Sequence, residues 1–258
     1  MPPQDPEPKR NAYQSYLEDK HAKFNTPGRV IDDVVKAAAG SKPRERHKVV
    51  LGEVNEVYDV VTESNQQLIV RISRSEHPRF EAEKWAIDGV KKKGVPAPEV
   101  LLIKSESVED MNLTFCVEKK LPGTPLRDVH YTERERISDI VQQAGEILAK
   151  IHSVEAQGFG GFDKPGVGKY GSWSDYIMEV AKDRDAIVEA ATKMGMATSD
   201  VDRGLDILKQ NARLFENVSS HLLHSDFSSK NILVDGNTIT GILDFEGSKS
   251  GDPVWDFA

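Results

Sequence analysis

Cysteine is nearly absent from this 258-residue chain: Cys116 is the only one. A disulfide framework within the chain is therefore excluded, and a reducing, cytoplasmic setting is expected. The setting of Cys116, LTFCV, reads as a buried small hydrophobe rather than a nucleophile. No run approaches the 18 or so apolar residues of a spanning helix, so no membrane partner is expected. The first ten residues, MPPQDPEPKR, lack the apolar stretch of a secretory signal and read as a loose tail over residues 1–10. An excess of basic residues is missing as well. Through Gly123 there are 20 acids and 20 Lys/Arg; beyond it 22 acids face 14, which accounts for the whole net charge of -8. That acidity disfavours nucleic acid and favours a cationic small-molecule partner, although a solubilising surface fits it equally well.

What is present suits an ordinary globular protein, with 38% hydrophobic and 29% charged residues and length enough for one large domain or two lobes. Residues 11–39 read as two helices, with Gly28 between them and Gly40 as a stop. From Val49 the runs become short and β-rich: KVVLGEVNEVYDVV, QQLIVRIS and LTFCVEKK. Val95-Pro96-Ala97-Pro98 marks an extended connector, since proline disfavours helix before it. Beyond Leu126 the pattern turns helical. Ile137, Ile140, Val141, Ala144, Ile147, Leu148 and Ile151 form one stripe, and two more helices are expected around 173–193 and 200–216. The order predicts an α+β chain with a β-rich lobe over 11–120, including the preceding helices, and a mainly helical lobe over 121–258.

The segment HSDFSSKNILVDGNTITGILDFE carries the chemistry. Ile232-Leu233-Val234 and Thr238–Leu243 flank Asp235-Gly236-Asn237, a strong hairpin signal. Pairing those strands brings Asn231 and Asp244 to one open end, with Asp226 in the loop just before it. Two carboxylates and an amide oxygen then converge, a set of hard ligands that suits Mg²⁺ when the ion also holds substrate phosphates. The bland alternative is that Asp226 and Asn231 merely cap a turn. Further upstream, Glu83 shares a helical stripe with Phe80, Ile87 and Val90, where a carboxylate needs a cation. Arg71, alternating away from Leu68, Val70 and Ile72, is the nearest candidate. An ordinary structural ion pair would satisfy the same pattern.

An H-x-D followed by Asn five residues after the Asp, and by a further Asp on the next strand, is the kinase catalytic layout. In the form HSDFSSKNILV, GILDFE and GDPVWDFA it resembles the aminoglycoside phosphotransferase family, small-molecule kinases related to choline kinases. The resemblance runs from about Val49 to Ala258. It implies a two-lobed protein-kinase-like fold that phosphorylates a hydroxyl of a small molecule with ATP or GTP and Mg²⁺. It makes Asp226 the catalytic base and Asn231 and Asp244 the Mg²⁺ ligands, while Arg71 and Glu83 pair to hold the nucleotide phosphates. Gly52 would belong to the phosphate-covering loop, Gly52-Glu53-Val54-Asn55-Glu56, though a plain hairpin is an equally good local reading. The acids of that loop would have to point to solvent. Glu118, Lys119 and Lys120 match the hinge, whose backbone reads the purine edge.

An aminoglycoside is the expected acceptor; a macrolide, a choline-like amine or a sugar metabolite is the alternative, and a nucleotide-binding pseudokinase the rival from another class. GFGGFDKPGVGKYG is glycine-rich but lacks the residues of a Walker A loop and reads as a loop beside the acceptor. His221 and His224 have no further zinc ligands near them, and His224 is expected to brace the catalytic loop. Lys230 reads equally as a phosphate contact or a solvated lysine. Ser225 stands where the family usually has glycine. Family members usually continue past the DPVWDFA segment with helices lining the acceptor pocket, so an ending at Ala258 is expected to mean a truncation or an open acceptor site.

Overall fold

The computed structural model describes residues 7–50, 54–131 and 134–257. Two compact units emerge, one reaching to Glu81 and including Pro98–Pro122, the other formed by Ala82–Ala97 and the chain from Gly123 onward. No described helix is long and apolar enough to cross a membrane.

The first unit begins with α1 (Glu7–Ala22) and α2 (Gly28–Ala39), followed by β1 (Pro43–Val49), β2 (Glu56–Thr62) and β3 (Gln67–Ser73). Helix α3 (Phe80–Lys92) then leads to β4 (Val100–Val108) and β5 (Met111–Lys119). Helix α1 starts four residues before the expected position 11, so Glu7–Arg10 are helical rather than a loose tail. Gly40 ends α2 as predicted: its φ of 69° is left-handed, and its N–H closes on the Lys36 carbonyl.

The five strands form one antiparallel sheet in the order β1-β2-β3-β5-β4. Leu68, Val70 and Ile72 of β3 are fully buried at period two, which sends Arg71 to the opposite face. Helix α2 lays Ile31, Val34 and Val35, its i, i+3, i+4 face, on a core that includes Tyr58, Val60, Phe115 and Val117. Cys116 is buried, as its apolar setting predicted. Strand β1, PRERHKV, begins upstream of the expected run KVVL and shares only Lys48 and Val49 with it, because an exposed, charged edge strand carries no apolar alternation.

Glu56 corrects a second expectation. It opens β2 with its side chain fully buried instead of facing solvent. Its carboxylate accepts from Thr26 Oγ1 at 2.6 Å, Tyr58 Oη at 2.7 Å and Arg74 Nη2 at 2.8 Å, with Lys48 Nζ at 3.3 Å. Lys48 also donates to the carbonyls of His21 and Phe24, so the turn between α1 and α2 is fastened to the sheet at one point.

The second unit holds the rest of α3, then β6 (Thr124–Pro125), α4 (Arg134–His152), β7 (Phe159–Lys164), β8 (Val167–Tyr170) and α5 (Trp173–Met178). It continues with α6 (Arg184–Lys193), α7 (Thr198–Gln210), β9 (His221–Leu223), β10 (Ile232–Asp235), β11 (Thr238–Ile242) and β12 (Lys249–Gly251). Ile140, Ile147, Leu148 and Ile151 of α4 are buried, but Ile137 and Val141 of the same stripe are exposed. The expected helix over 173–193 is two, α5 and α6, joined by a 3₁₀ segment at Glu179–Asp183.

The glycine-rich GFGGFDKPGVGKYG is not a loop. It is the β7–β8 hairpin, inside a four-stranded sheet of order β8-β7-β12-β9. Gly160 serves packing: it has φ 78°, and a Cβ there would meet the Tyr176 ring at 2.6 Å. The predicted β10–β11 hairpin is present, with Asp235 opposite Thr238 and Gly236-Asn237 as the two-residue turn.

Burial pushes the Glu56 carboxyl up, but bonds from Thr26, Tyr58 and Arg74 outweigh it and bring the pKa from 4.5 to about 2. A depressed carboxylate contributes stability above its unfolded pKa and loses it as pH falls through the folded one, here between 4.5 and about 2. The contribution at neutral pH is about 3 kcal/mol at most. Thermal melts of the wild type should therefore drop across that window more steeply than those of Glu56→Gln, and coincident profiles would refute the assignment.

Candidate active site

Strand β9 delivers the chain into a tight loop at His224, a fully buried residue. The imidazole donates from Nε2 to the Leu243 carbonyl at 3.0 Å and accepts the Asp226 N–H at Nδ1, 3.3 Å away. Its ring packs on Phe245, centroid to centroid at 4.7 Å. Burial lowers its pKa against the pull of Asp256 and the Leu243 carbonyl. A neutral ring with one donor and one acceptor nitrogen is what these two bonds require. His224 thus ties the Asp226 loop to the strand end that carries Asp244.

A second tie comes from the DPVWDFA segment. The side chain of Asp256 is fully buried and accepts the His224 N–H at 2.9 Å, the Ser225 N–H at 2.7 Å and His152 Nε2 at 2.9 Å. Burial raises its pKa, but the His152 bond and the two amides outweigh that and hold the carboxyl below its ordinary range. Ser225 sits at φ 68°, a left-handed conformation that suits glycine, and its buried hydroxyl has no hydrogen-bond partner among the described residues. Sequence reasoning missed Asp256 and His152. The available signal was a carboxylate set between Trp255 and Phe257, a context where an acid needs donors.

The structure brings Asp226 and Asn231 into direct contact. Asn231 Nδ2 donates to the Asp226 carbonyl at 2.9 Å and to its Oδ2 at 3.0 Å, which leaves the amide oxygen as the atom available to a cation. Lys230 Nζ lies 2.8 Å from the same Oδ2, and Ser228 Oγ donates to Oδ1 at 3.3 Å. Burial pushes the Asp226 carboxyl up, but Lys230, Asn231 and Ser228 together hold it below its usual value. The Leu243 N–H bonds the Asn231 carbonyl at 2.8 Å, extending the hairpin to the residue before Asp244. Asp244 itself has φ 66° and ψ 64°, and its charge is felt at both Lys230 and His224.

Among the described residues no cluster of three or more His, Cys, Asp or Glu is gathered for a metal. One carboxylate and one amide oxygen, Asp244 and Asn231, fit Mg²⁺ of the kind completed by phosphates and water. They do not fit a metal caged by protein alone.

The remaining predicted residues belong to other elements. Arg71, on β3, rests its guanidinium over the Phe80 ring at 5.2 Å. Glu83 is buried on α3 together with Phe80, Ile87 and Val90, the predicted stripe. Glu118 is buried at the end of β5, while Lys119 and Lys120 bond Glu99 and Asp59 at the surface. Their N–H groups go to the carbonyls of Glu99 and Gln67, so these two amides are committed within the sheet and are not donors for a purine. Gly52 lies outside the described residues.

Residues 48–258 match the model of the phosphotransferase enzyme family, APH. Hygromycin-B 4-O-kinase of Escherichia coli is 32% identical over 165 residues, 64% of this chain and 47% of that protein, so the chain spans about half the length of this curated relative. Among solved structures, aminoglycoside phosphotransferase APH(4)-Ia superposes with a TM-score of 0.72 at 24% identity, over 90% of this chain and 75% of that one. Macrolide 2'-phosphotransferase MphH from Brachybacterium faecium superposes with a TM-score of 0.56 at 16% identity, over 88% and 74%. At these identities the likeness shows the fold, α+β and protein-kinase-like.

Two substitutions test this framework. Ser225→Gly removes both the left-handed strain and the unpartnered hydroxyl and should stabilise the protein by about 1 kcal/mol after the entropy of glycine is offset. Asp256→Ala strands two loop amides and His152 and should cost about 3 kcal/mol. Denaturant melts that leave either variant at wild-type stability would contradict the geometry.

Proposed function

We propose that this chain, which belongs to the phosphotransferase enzyme family, transfers the γ-phosphoryl group of ATP to a hydroxyl of an aminoglycoside. The observation that carries the reading is the convergence of Asp226, Asn231 and the strand end bearing Asp244, braced from beneath by His224 and Asp256. The similarity to a hygromycin B kinase supports the aminoglycoside, and so does the acidity of the chain beyond Gly123. GTP in place of ATP is left to the donor assay.

In this reading Asp226 orients the acceptor hydroxyl and takes its proton as the new O–P bond forms and the bond to the departing ADP oxygen breaks. Asn231, through its amide oxygen, and Asp244, through its carboxylate, hold Mg²⁺. When bound, that ion neutralises charge on the nucleotide phosphates. Arg71 and Glu83 serve the nucleotide phosphates, the fork of the arginine being suited to bidentate contact. The strand end at Glu118 to Lys120 serves the purine through groups other than the two committed amides. The unit containing the sheet is the nucleotide lobe and the other the catalytic lobe, and buried Cys116 accords with a cytoplasmic protein. Catalysis of this kind rests on placement and electrostatics rather than on covalent chemistry.

The deciding experiment is nucleotide consumption, with ATP and GTP in parallel, across hygromycin B, other aminoglycosides, macrolides, choline and sugars. Turnover with an aminoglycoside is expected; turnover confined to another class would replace the acceptor, and binding without turnover would favour a pseudokinase. Asp226→Ala should lower turnover at least a hundredfold while Mg²⁺-nucleotide affinity stays within about threefold. Asp244→Ala should weaken that affinity itself, measured by calorimetry with and without Mg²⁺.

A further inference from the structure

We propose that Lys230 is a positioning residue of the transfer site: with Asn231 it fixes Oδ2 of Asp226, so that Oδ1 is the oxygen presented to the acceptor hydroxyl. The inference deepens the phosphotransfer reading above and rests on it. The two oxygens of Asp226 are not equivalent. Oδ2 receives two nitrogen donors, Lys230 Nζ at 2.8 Å and Asn231 Nδ2 at 3.0 Å. Oδ1 accepts, among the described residues, only the Ser228 hydroxyl at 3.3 Å, long for a bond of this type and readily exchanged for an incoming hydroxyl.

The lysine reaches back because the loop is pinned on both sides of it. The Asn231 N–H closes on the Ser228 carbonyl at 2.9 Å, and the Ser229 carbonyl receives the Arg127 N–H at 3.1 Å. Lys230 therefore faces Asp226 from four residues away with little backbone freedom. Asp244 attracts its ammonium toward the site, while Arg127 repels it. Both partners of the ion pair are well exposed, 49% for Lys230 and 38% for Asp226, so the pair contributes little to fold stability. Its effect lies in orientation. A carboxylate anchored at one oxygen by a charged and a neutral donor cannot swing about its Cβ–Cγ bond, and the geometry of the base is set before the acceptor arrives.

The test compares wild type, Lys230→Met, Lys230→Arg and Asp226→Asn in initial rates with hygromycin B, varying Mg²⁺-ATP and acceptor separately, with a thermal melt of each. Lys230→Met should lower kcat about tenfold, the scale of one charged hydrogen bond. The KM for Mg²⁺-ATP should stay within about twofold and the melting temperature unchanged. Lys230→Arg should restore most of kcat, since a guanidinium also donates to Oδ2. Wild-type kcat in Lys230→Met beside an inactive Asp226→Asn overturns the inference and spares the phosphotransfer reading. A loss confined to the KM for nucleotide would make Lys230 a phosphate contact instead. A lowered melting temperature that arginine does not restore would make it structural. A wild-type chain that turns over neither hygromycin B nor any other acceptor of the panel overturns the phosphotransfer reading, and this inference with it.

Discussion

The buried carboxylate of Asp256 gathers three donors from two distant parts of the chain, the amides of His224 and Ser225 and the ring of His152 on α4. Each amide, buried without a partner, would cost about 1–3 kcal/mol, and an unpaired buried carboxylate considerably more. No pairwise exchange relieves this, because the donors and the acceptor satisfy one another. The loop that carries Asp226 is therefore held by a group that does not itself belong to the proposed chemistry. His224 extends the hold: its backbone serves Asp256 while its ring joins Leu243 to Asp226.

That hold explains where the backbone is strained. Ser225 and Asp244 are non-glycine residues with φ near +67°, at 68° and 66°, and they bracket the site on two different segments. Asn65 and Glu109, by contrast, turn β-hairpins, where a left-handed residue is ordinary. Strain of this sort costs about 1–3 kcal/mol per residue and persists only where the surroundings over-determine it. At Ser225 the surrounding force is Asp256; at Asp244 it is the preceding Leu243, held by Asn231 through its N–H and by His224 at its carbonyl.

The legible parts of the chain were those in which one local pattern decides. The hairpin signal around Gly236 and the period-two burial of Leu68, Val70 and Ile72 came through, as did the stripe of Phe80, Glu83, Ile87 and Val90. The illegible parts depend on partners far away in the chain. Nothing near Glu56 says that Thr26, Lys48 and Arg74 will surround it, so an acid in a glycine-containing segment looked like a solvent-facing one. GFGGFDKPGVGKYG looked like a loop because its glycines suggest turns, yet Gly160 answers to the rings of Tyr170 and Tyr176 and Gly168 to the backbone of Phe159, while Gly166 stands in the tight turn between β7 and β8. Lys230 was ambiguous for a related reason: only the fold of the loop decides whether a lysine four residues after an acid turns back to it.

The Glu56 cluster also bears on what counts as the domain. The family match begins at residue 48, yet the sheet core is incomplete without Ile31, Val34 and Val35 of α2, all upstream of it. Thr26 supplies one of the hydrogen bonds to the buried Glu56 carboxylate, and Lys48 fastens the carbonyls of His21 and Phe24 beside it. Stripping the chain back to the family boundary would expose an apolar sheet face and leave a buried acid short of a donor at the same moment. The segment from α1 to α2 is thus a structural part of the sheet unit. Its attachment lies at Lys48 and Glu56, so the one cluster that satisfies the buried acid also fastens the upstream helices to the first two strands of the sheet.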